Sequence, residues 1–230
     1  MTALEFRAGD APPHIELLKG LNQKEIDLIL AAASPRRFAP KSVMTQQGQP
    51  ADHLLLLWKG RARYFFQTHN GKKVNLIWIT PGHVFGATAL TSRPHAYIAS
   101  TEAVQECVVL IWDSTTIRNL AHRFTLLLEN EFLVAVDYLS WYVATHTSLI
   151  SETARERLVH VLLGYAPSIG QKIDGGIELD VTNEELANAA NITPYTVSRL
   201  MSKWEKTGAI RKRYGKILLR SPQKFFRTTV

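Results

Sequence analysis

The stretch Ile192–Ile217, ITPYTVSRLMSKWEKTGAIRKRYGKI, decides how the C-terminal part of the chain folds. Thr193 followed by Pro194 is a typical helix start, because a threonine side chain caps a free backbone N–H and proline is well tolerated in the first turn. Apolar residues then recur at helical spacing. They predict an inward face of Val197, Leu200, Met201 and Trp204.

A second, shorter helix is predicted just before this one. Thr182 and Glu185 have the spacing of a capping box, so the helix begins at Asn183 and continues to about Ala190. Asn191 suits a left-handed turn residue. The sequence therefore predicts a helix, a tight turn and a second helix.

The second helix presents polar side chains on its other face, which is what reading the major groove of DNA requires. After it, GAIRKRYGKILL predicts two short strands with Tyr214 and Gly215 between them, a wing whose cations can contact phosphates. The predicted base contacts are Tyr195, Ser198 and Arg199. The predicted phosphate contacts are Thr182, Thr193, Thr196, Lys203, Arg211, Lys212, Arg213 and Lys216.

Charge supports an anionic partner for this end of the chain. The formal net charge is +7; residues 1–150 hold 14 Lys and Arg against 12 Asp and Glu, whereas residues 199–230 hold ten against the single acid Glu205. A positive field concentrated in one region favours binding to nucleic acid. A solubilising basic tail, or a helix-turn-helix that binds another protein, is the alternative.

The N-terminal half is rich in predicted β-strands. HLLLLWKGRARYFF predicts one strand ending at Trp58 and another that alternates through Ala62, Tyr64 and Phe66, and Asn70-Gly71 predicts a hairpin. Short strands punctuated by glycine suggest a small barrel or jelly roll, preceded by an amphipathic helix that includes Ile26 and Ile29. The fold class is α+β.

From Thr115 to Ser148 the chain contains no Gly or Pro, and apolar residues recur every three or four positions. A helix of roughly 30 residues would be about 45 Å long, more than one small domain requires, so we expect self-association along it. The alternative is a core helix or a helix pair in a monomer. The predicted dimer contacts are Phe124, Leu127, Glu131, Val134, Tyr138 and Trp141.

Cysteine content and hydropathy restrict the class of protein. The single cysteine, Cys107, excludes an internal disulfide and a four-cysteine metal site, and its apolar surroundings predict a buried thiol. The longest purely apolar run, LLLLW, is too short to span a bilayer, and no signal peptide is recognisable. We expect a soluble cytoplasmic protein that is not an enzyme.

The chain resembles the Crp–Fnr superfamily of bacterial transcription factors from end to end. The resemblance rests on GQPADHLLLLWKGRARYFF, GKKVNLIWITPGHVFGATAL, the long helix and NEELANAANITPYTVSRLMSKWEKTGAI, of which TVSRL is the most specific part. It implies a β-roll sensor domain over residues 1–113, a dimerisation helix over 114–150 and a winged helix-turn-helix over 151–230. It also implies a homodimer on a palindromic operator and contact with RNA polymerase, for which APSIGQKIDGG is a candidate surface.

In this resemblance Arg199 matches the arginine that family members place on a guanine edge, and Ser198 matches a neighbour that assists it. The chain departs from the family at Tyr195, where the two well-known branches have glutamate, and at Pro194, where the cyclic-AMP branch has arginine. We therefore expect the half-site to keep the guanine and to differ at the base pair that the glutamate would have read.

The sensory region departs further. Cyclic-nucleotide binders of the family hold the ribose with a glutamate and the phosphate with an Arg-Ser pair; here Ala87 stands at the glutamate position, and Ala96 and Tyr97 fall near the pair. We therefore expect an apolar or aromatic effector instead of cyclic AMP, or no effector at all. The predicted pocket residues are Tyr64, Ile77, Ile79, Ala87, Tyr97, Tyr138 and Tyr142.

Three alternatives stay open, and no cofactor is assigned. One is a member of the same superfamily that responds to haem or to a cyclic nucleotide. For haem, eight histidines are possible ligands, but Thr88 stands where carbon-monoxide sensors of the family carry histidine. The second is a cyclic-nucleotide module that acts on a protein partner. The third is a jelly-roll metalloenzyme, although residues 40–112 contain no closely spaced histidine pair and no metal ligands are predicted.

Overall fold

In the computed structural model, which describes residues 14–93, 95–213, 215–221 and 225, the chain divides into two units. These are Met1–Trp141 and Tyr142–Val230. The first unit contains eight antiparallel strands in two four-stranded sheets, with the orders β1-β8-β3-β6 and β2-β7-β4-β5. The strands are β1 (Ser34–Phe38), β2 (Val43–Thr45), β3 (His53–Lys59), β4 (Ala62–Gln67), β5 (Lys73–Ile79), β6 (Val84–Phe85), β7 (Ser100–Ala103) and β8 (Cys107–Asp113).

The leucine-rich strand β3 is covered on both of its faces. Leu55 and Leu57 belong to a core cluster that includes residues of both sheets and therefore lies between them. Leu54 and Leu56 belong to a second cluster, formed with helices on the outside of the roll. This double burial explains why the strand is a continuous apolar run and does not alternate.

Two helices cover that outer face. Helix α1 (Gln23–Ala31) begins with a capping box at Asn22, and α2 (Ser114–Arg123) begins with Asp113 as its N-cap. Ile29 of α1 is fully buried, and its carbonyl accepts a hydrogen bond of 2.8 Å from the Trp112 indole N–H. The predicted amphipathic helix is thus confirmed.

One predicted strand face is wrong. The ladder between β4 and β5 shifts register between Tyr64 and Phe65, so simple alternation fails beyond Tyr64. Phe65 is buried, whereas Phe66 is 40% exposed. A bulge of this kind exchanges the two faces of a strand, and its position is not visible in the apolar pattern.

The predicted long helix is two helices. Phe124, with φ −121° and ψ 83°, ends α2, and α3 (Leu126–Ser151) begins two residues later. Ile117 and Ala121 of α2 fill the same core as Leu127 of α3, and the bend returns the chain to that core. The division between the two units falls within α3, because α2 and the first turns of α3 pack in the first unit. The predicted boundaries at 113 and 150, which set the long helix apart, stay a prediction.

The second unit contains helices α4 (Ala154–Ile169), α5 (Asn183–Ala190) and α6 (Pro194–Lys206) and a four-stranded sheet of order β11-β12-β10-β9. Its strands are β9 (Gln171–Ile173), β10 (Gly176–Leu179), β11 (Ile210–Arg213) and β12 (Lys216–Leu219). A Cβ at Gly176 would lie 2.1 Å from the carbonyl oxygen of Leu219, so glycine permits β10 and β12 to pair closely.

The Pro and Gly residues of the segment PSIGQKIDGG predict a loop after a helix that ends at Tyr165, but the structure forms the end of a helix and a hairpin there. Helix α4 continues through Pro167, and the hydroxyl of Ser168 donates a hydrogen bond of 3.0 Å to the carbonyl of Gly164. A proline so near the end of a helix removes only one backbone hydrogen bond, and an extra donor in the same turn supports the helix there. The loop prediction overvalued the Pro and Gly residues.

Candidate DNA interface and sensor region

The helix-turn-helix has the local geometry that its sequence predicts. Thr182 and Glu185 form a capping box at the start of α5, and Asn191 ends that helix in the left-handed region at φ 48°. Thr193 caps α6, and its side chain accepts a hydrogen bond from the Thr196 backbone N–H. The hydroxyls of these threonines thus shape the helix ends from which they were predicted to contact phosphate.

Helix α6 has one apolar face and one polar face. Val197, Met201 and Trp204 are buried, and the ring of Trp204 lies 4.9 Å from that of Phe225. On the opposite face Tyr195 is 77% exposed. Ser198, Arg199 and Lys203 are also exposed. The three predicted base-contact residues therefore share an exposed surface in the first half of the helix.

The wing is bonded to α6 through Lys212. The Lys212 backbone N–H donates to Glu205 Oε1 at 2.8 Å, and its ammonium group donates to Ser202 Oγ at 2.8 Å. Strands β11 and β12 pair from Ile210 to Leu219. Tyr214, predicted to lie in the turn between them, is outside the described residues. These contacts hold the wing in a defined position against α6.

An acid that sequence reasoning missed neutralises part of the wing. Glu178 of β10, which is 8% exposed, accepts a hydrogen bond of 2.6 Å from Lys216 and lies 3.4 Å from Arg213. The bond from Lys216, together with the charges of both cations, lowers the pKa of Glu178. Among the described residues of the wing, Arg211 makes no ion pair. Glu178 is 35 positions from Arg213, so no local pattern signals this cluster.

A second missed residue, Arg157 of α4, supports the turn of the helix-turn-helix. Its guanidinium donates to the carbonyl of Ala190 at 2.8 Å and to that of Asn191 at 3.3 Å. It also donates to the carbonyl of Glu152 at 2.7 Å. These carbonyls lie at helix ends that lack internal partners.

The predicted effector-pocket residues do not form one group. Tyr64 and Ile77 pack against the core between the sheets, to which Ile79 belongs, whereas Ala87 packs against the helix-side core. The Tyr97 hydroxyl donates to the carbonyl of His53 at 3.2 Å, so its ring is held against β3. Tyr142, 59% exposed, belongs to the second unit and stacks on His146.

Tyr138 of α3 lies near two other titratable side chains, the buried Glu131 and the partly buried Tyr64. Burial raises the pKa of Tyr138, and the charges of Glu131 and Tyr64 raise it further. Glu131 is 9% exposed, and burial alone raises the pKa of its carboxyl to about 7. Its Oε2 atom is fully buried and has no hydrogen-bond partner among the residues that the structure describes.

This placement corrects the predicted dimer face. Leu127 is fully buried and Glu131 is nearly so within a single chain, and Phe124 packs against the same core as Leu127. Val134 and Tyr138 are also partly covered, which leaves Trp141, 46% exposed, as the accessible member. Both faces of α3 are apolar, so the sequence pattern could not tell which one packs on the roll. The exposed large apolar residues of α3 are Leu128, Phe132, Leu133, Val136, Leu139, Trp141, Tyr142, Val143, Leu149 and Ile150.

Cys107 is fully buried, as predicted, and burial raises the pKa of its thiol. Within residues 14–93, 95–213, 215–221 and 225, no three His, Cys, Asp or Glu residues are grouped so that they could hold a metal ion. No helix in this part of the chain combines the length and apolar character needed to cross a membrane.

A β-roll followed by a winged helix-turn-helix defines a class of DNA-binding regulators. Residues 35–124 match the cyclic nucleotide-binding domain family, and residues 156–227 match the Crp-like helix-turn-helix domain family. The chain belongs to the Crp–Fnr superfamily of DNA-binding transcription regulators. The predicted fold class is thereby confirmed.

Curated relatives and a solved structure agree with this assignment. The transcriptional regulator LdrP of Thermus thermophilus is 27% identical over 186 residues, which cover 80% of this chain and 91% of that protein. The cyclic AMP receptor protein of the same species is 27% identical over 205 residues, 89% of this chain and 92% of that protein. The c-di-GMP responsive global regulator CLP of Xanthomonas campestris has the same fold, with a TM-score of 0.74 at 16% identity over 86% of this chain and 99% of that one.

Proposed function

We propose that the protein is a homodimer that reads a palindromic operator by placing α6 of each subunit in the major groove. The observation that carries this proposal is the exposed polar face of α6. Arg199 can donate two hydrogen bonds to a guanine edge, which is the commonest specific contact to DNA. Tyr195 and Ser198, exposed on the same half of the helix, contact the neighbouring base pairs.

The phosphate contacts come from the ends of α5 and α6 and from the wing. Thr182, Thr193, Thr196 and Lys203 lie at or near these helices, and backbone N–H groups at a helix N-terminus favour phosphate oxygens. Arg211 contributes a cation that forms no ion pair with any acid among the described residues. Arg213 and Lys216, in contrast, must leave Glu178 to bind a phosphate. Such contacts position the protein and supply most of the salt-dependent affinity.

The proposed homodimer forms through helix α3. Its exposed apolar side chains include Phe132, 67% exposed, and Leu139, 61% exposed, which lie seven residues apart and hence on one face. Soluble proteins rarely expose so many apolar side chains on one helix without a partner. A second copy that packs on this face gives the two DNA-reading helices the symmetry of a palindrome.

We further propose that the effector is a small apolar or aromatic molecule and not cyclic AMP. The core between the sheets is made of Leu, Ile, Val, Ala, Phe and Cys side chains, with Tyr64 at its border. Ala87 and Ala96 offer no charge to a ribose or a phosphate. A buried phosphate without charge-assisted partners loses a few kcal/mol of binding free energy.

Haem and cyclic nucleotides are the competing effectors, and a protein-directed regulatory module is the competing function. RNA polymerase is the proposed protein partner, with the end of α4 and the β9–β10 hairpin as its candidate contact. Salt-dependent, sequence-specific DNA binding is required by the first function and not by the protein-directed one.

The test is selection of bound sequences from random DNA by the purified full chain. We expect a palindromic site with half-site centres one helical turn apart. Parallel selections contain cyclic AMP, haem or a panel of small aromatic compounds. A protein that enriches no sequence under any of these conditions contradicts the proposal. Tighter DNA binding in the presence of cyclic AMP contradicts the proposed apolar or aromatic effector.

A further inference from the structure

Glu131 is the least satisfied buried acid in the described sensor unit. Two of its neighbours on α3 show how this part of the helix is held: Leu127 is in the helix-side core, and the side-chain N–H group of Asn130 donates to the carbonyls of Leu17 and Lys19. Glu131 continues the same inward face, but its Oε2 atom receives no hydrogen bond from any described residue. A buried, unpaired carboxyl oxygen destabilises the folded state, so its presence needs a physical explanation.

Two aromatic side chains accompany this carboxyl. Tyr138 lies two helical turns after Glu131, and side chains on an α-helix lean towards its N-terminus, which brings the Tyr138 ring towards Glu131. Tyr64 extends from β4 of the roll and is close enough to affect the ionisation of Tyr138. Both rings are only partly buried, whereas the carboxyl is enclosed. Two partly buried tyrosine rings therefore lie near a buried carboxyl oxygen that has no hydrogen-bond donor among the described residues.

The chemistry of this group selects the ligand. No cation among the described residues compensates Glu131, and burial is what holds the pKa of its carboxyl near neutrality. An ammonium group would supply both the missing hydrogen-bond donor and the missing positive charge. Beside the ionised carboxyl, which predominates above pH 7, a carboxylate or phosphate would add a second negative charge and would be rejected. The partly buried tyrosine rings suit an aromatic body and can also interact with a cation.

We infer that Glu131 is the polar anchor of the effector site and that this site takes a small aromatic amine, with Tyr64 and Tyr138 against its ring. This inference deepens the proposed effector control and rests on it. The ammonium group donates to Glu131 Oε2, the ring enters between the roll and α3, and anionic ligands are excluded. The effector then holds α3, the proposed dimer helix, against the sensor sheets.

Three probes of matched shape test the inference: 2-phenylethylamine, 2-phenylethanol and 3-phenylpropionate. Each is titrated calorimetrically into the full-length protein, into Glu131→Gln and into Glu129→Gln, which removes the same charge from an exposed position of α3. We expect the native protein to prefer the amine. Glu131→Gln should weaken amine binding by about tenfold or more and alcohol binding by less than about threefold, because a charge-assisted bond is lost but an acceptor remains.

Proton release gives an independent readout. At pH 6 the Glu131 carboxyl is mostly protonated, so the bound ammonium displaces up to one proton, and the binding enthalpy depends on the ionisation enthalpy of the buffer. We expect the Glu131→Gln variant to release no proton when the amine binds, whereas the Glu129→Gln variant should release protons like the native protein. Tyr138→Leu should weaken binding of the amine and binding of the alcohol by the same factor. Melting curves identify any variant that does not fold.

The inference is overturned if none of the probes binds the native protein, if the anion binds as well as the amine, or if Glu131→Gln keeps the preference. Selection from random DNA with the same samples separates this failure from that of the proposed function. Specific DNA binding without amine preference refutes only the role of Glu131. Amine preference without DNA binding refutes only the DNA-reading proposal.

Discussion

Arg199 and Glu131 are charged residues in opposite surroundings, and each surrounding determines what the residue can do. The Arg199 side chain is exposed on the polar face of α6 and is available to a ligand from solution. The Glu131 carboxyl is enclosed by its own chain and lacks a partner among the described residues, so its free energy depends on its protonation state.

Replacement of Arg199 by alanine should remove base discrimination with little effect on folding. We expect a loss of about 1–3 kcal/mol of binding free energy for the selected operator and a flattened preference at one base pair. Competition titrations with operator variants measure both. An equal loss on all DNA sequences would show that Arg199 contacts phosphate.

Glu131 should make the stability of the first unit depend on pH. The pKa of its carboxyl is raised from 4.5 to about 7, so the folded state holds the proton more tightly than the unfolded state. The stabilisation is fully present below pH 4.5 and is lost as pH rises through 7, a change of about 3 kcal/mol.

Glu131→Gln should remove this dependence, so that the free energy of unfolding of the native protein relative to the variant falls between about pH 5 and pH 8. Urea denaturation over that range measures it, with Glu129→Gln as the control. If the native protein and Glu131→Gln have parallel pH profiles, Glu131 is not protonated in the folded state.

At the scale of elements, other parts of the second unit hold the wing in position and neutralise part of its positive charge. Lys212 bonds it to α6, and Glu178 pairs with Arg213 and Lys216. A phosphate must displace an existing partner at three of the four predicted wing contacts, Lys212, Arg213 and Lys216. The wing therefore contributes less to non-specific affinity than its cation content implies.

Glu178→Gln should release Arg213 and Lys216 for DNA. We expect non-specific binding to strengthen and the slope of log K against log salt to steepen by about one to two. Titrations of DNA at several salt concentrations measure the slope. Asp174→Asn, in the turn of the neighbouring hairpin, controls for removal of one negative charge; an equal effect of both variants would assign it to net charge alone.

Arg157 supports another element, the turn between α5 and α6. Arg157→Met removes its hydrogen bonds to three carbonyls and keeps most of the aliphatic stem, so the free energy of unfolding of the second unit should fall by about 2–3 kcal/mol. Chemical denaturation measures the change, and Lys172→Met, at an exposed position, should have almost no effect. A similarly small change for Arg157→Met would show that water replaces the guanidinium.

At the scale of the whole molecule, the proposed function requires two copies of the chain. Replacing both Phe132 and Leu139 by aspartate should produce a monomer, which sedimentation measures. Operator affinity should then fall by about a hundredfold or more, because each α6 binds without the effective concentration that its partner provides. Leu28→Asp, on the exposed side of α1, should remain dimeric. A double variant that stays dimeric would move the interface away from this face.

The sequence by itself determined the features that depend on local contacts. The caps at Thr182 and Thr193, the left-handed Asn191 and the buried face of α6 involve residues only a few positions apart, where backbone geometry and hydrogen bonding restrict the outcome. These local features, together with the family resemblance that rests on them, were sufficient to predict the class of protein. They were also sufficient to predict which surface of α6 is exposed and is proposed to face DNA.

Only the tertiary structure decided features that join distant parts of the chain. It bent the helical region at Phe124 and turned Leu127 and Glu131, rather than Phe132 and Leu139, towards the roll. It also brought Glu178 to the wing and Arg157 to Asn191. Both faces of α3 are apolar, and the groups that meet at Glu178 and at Arg157 are more than 30 residues apart in the chain. Packing against the rest of the domain therefore determined structural features that neither the apolar periodicity nor the composition of the sequence predicts.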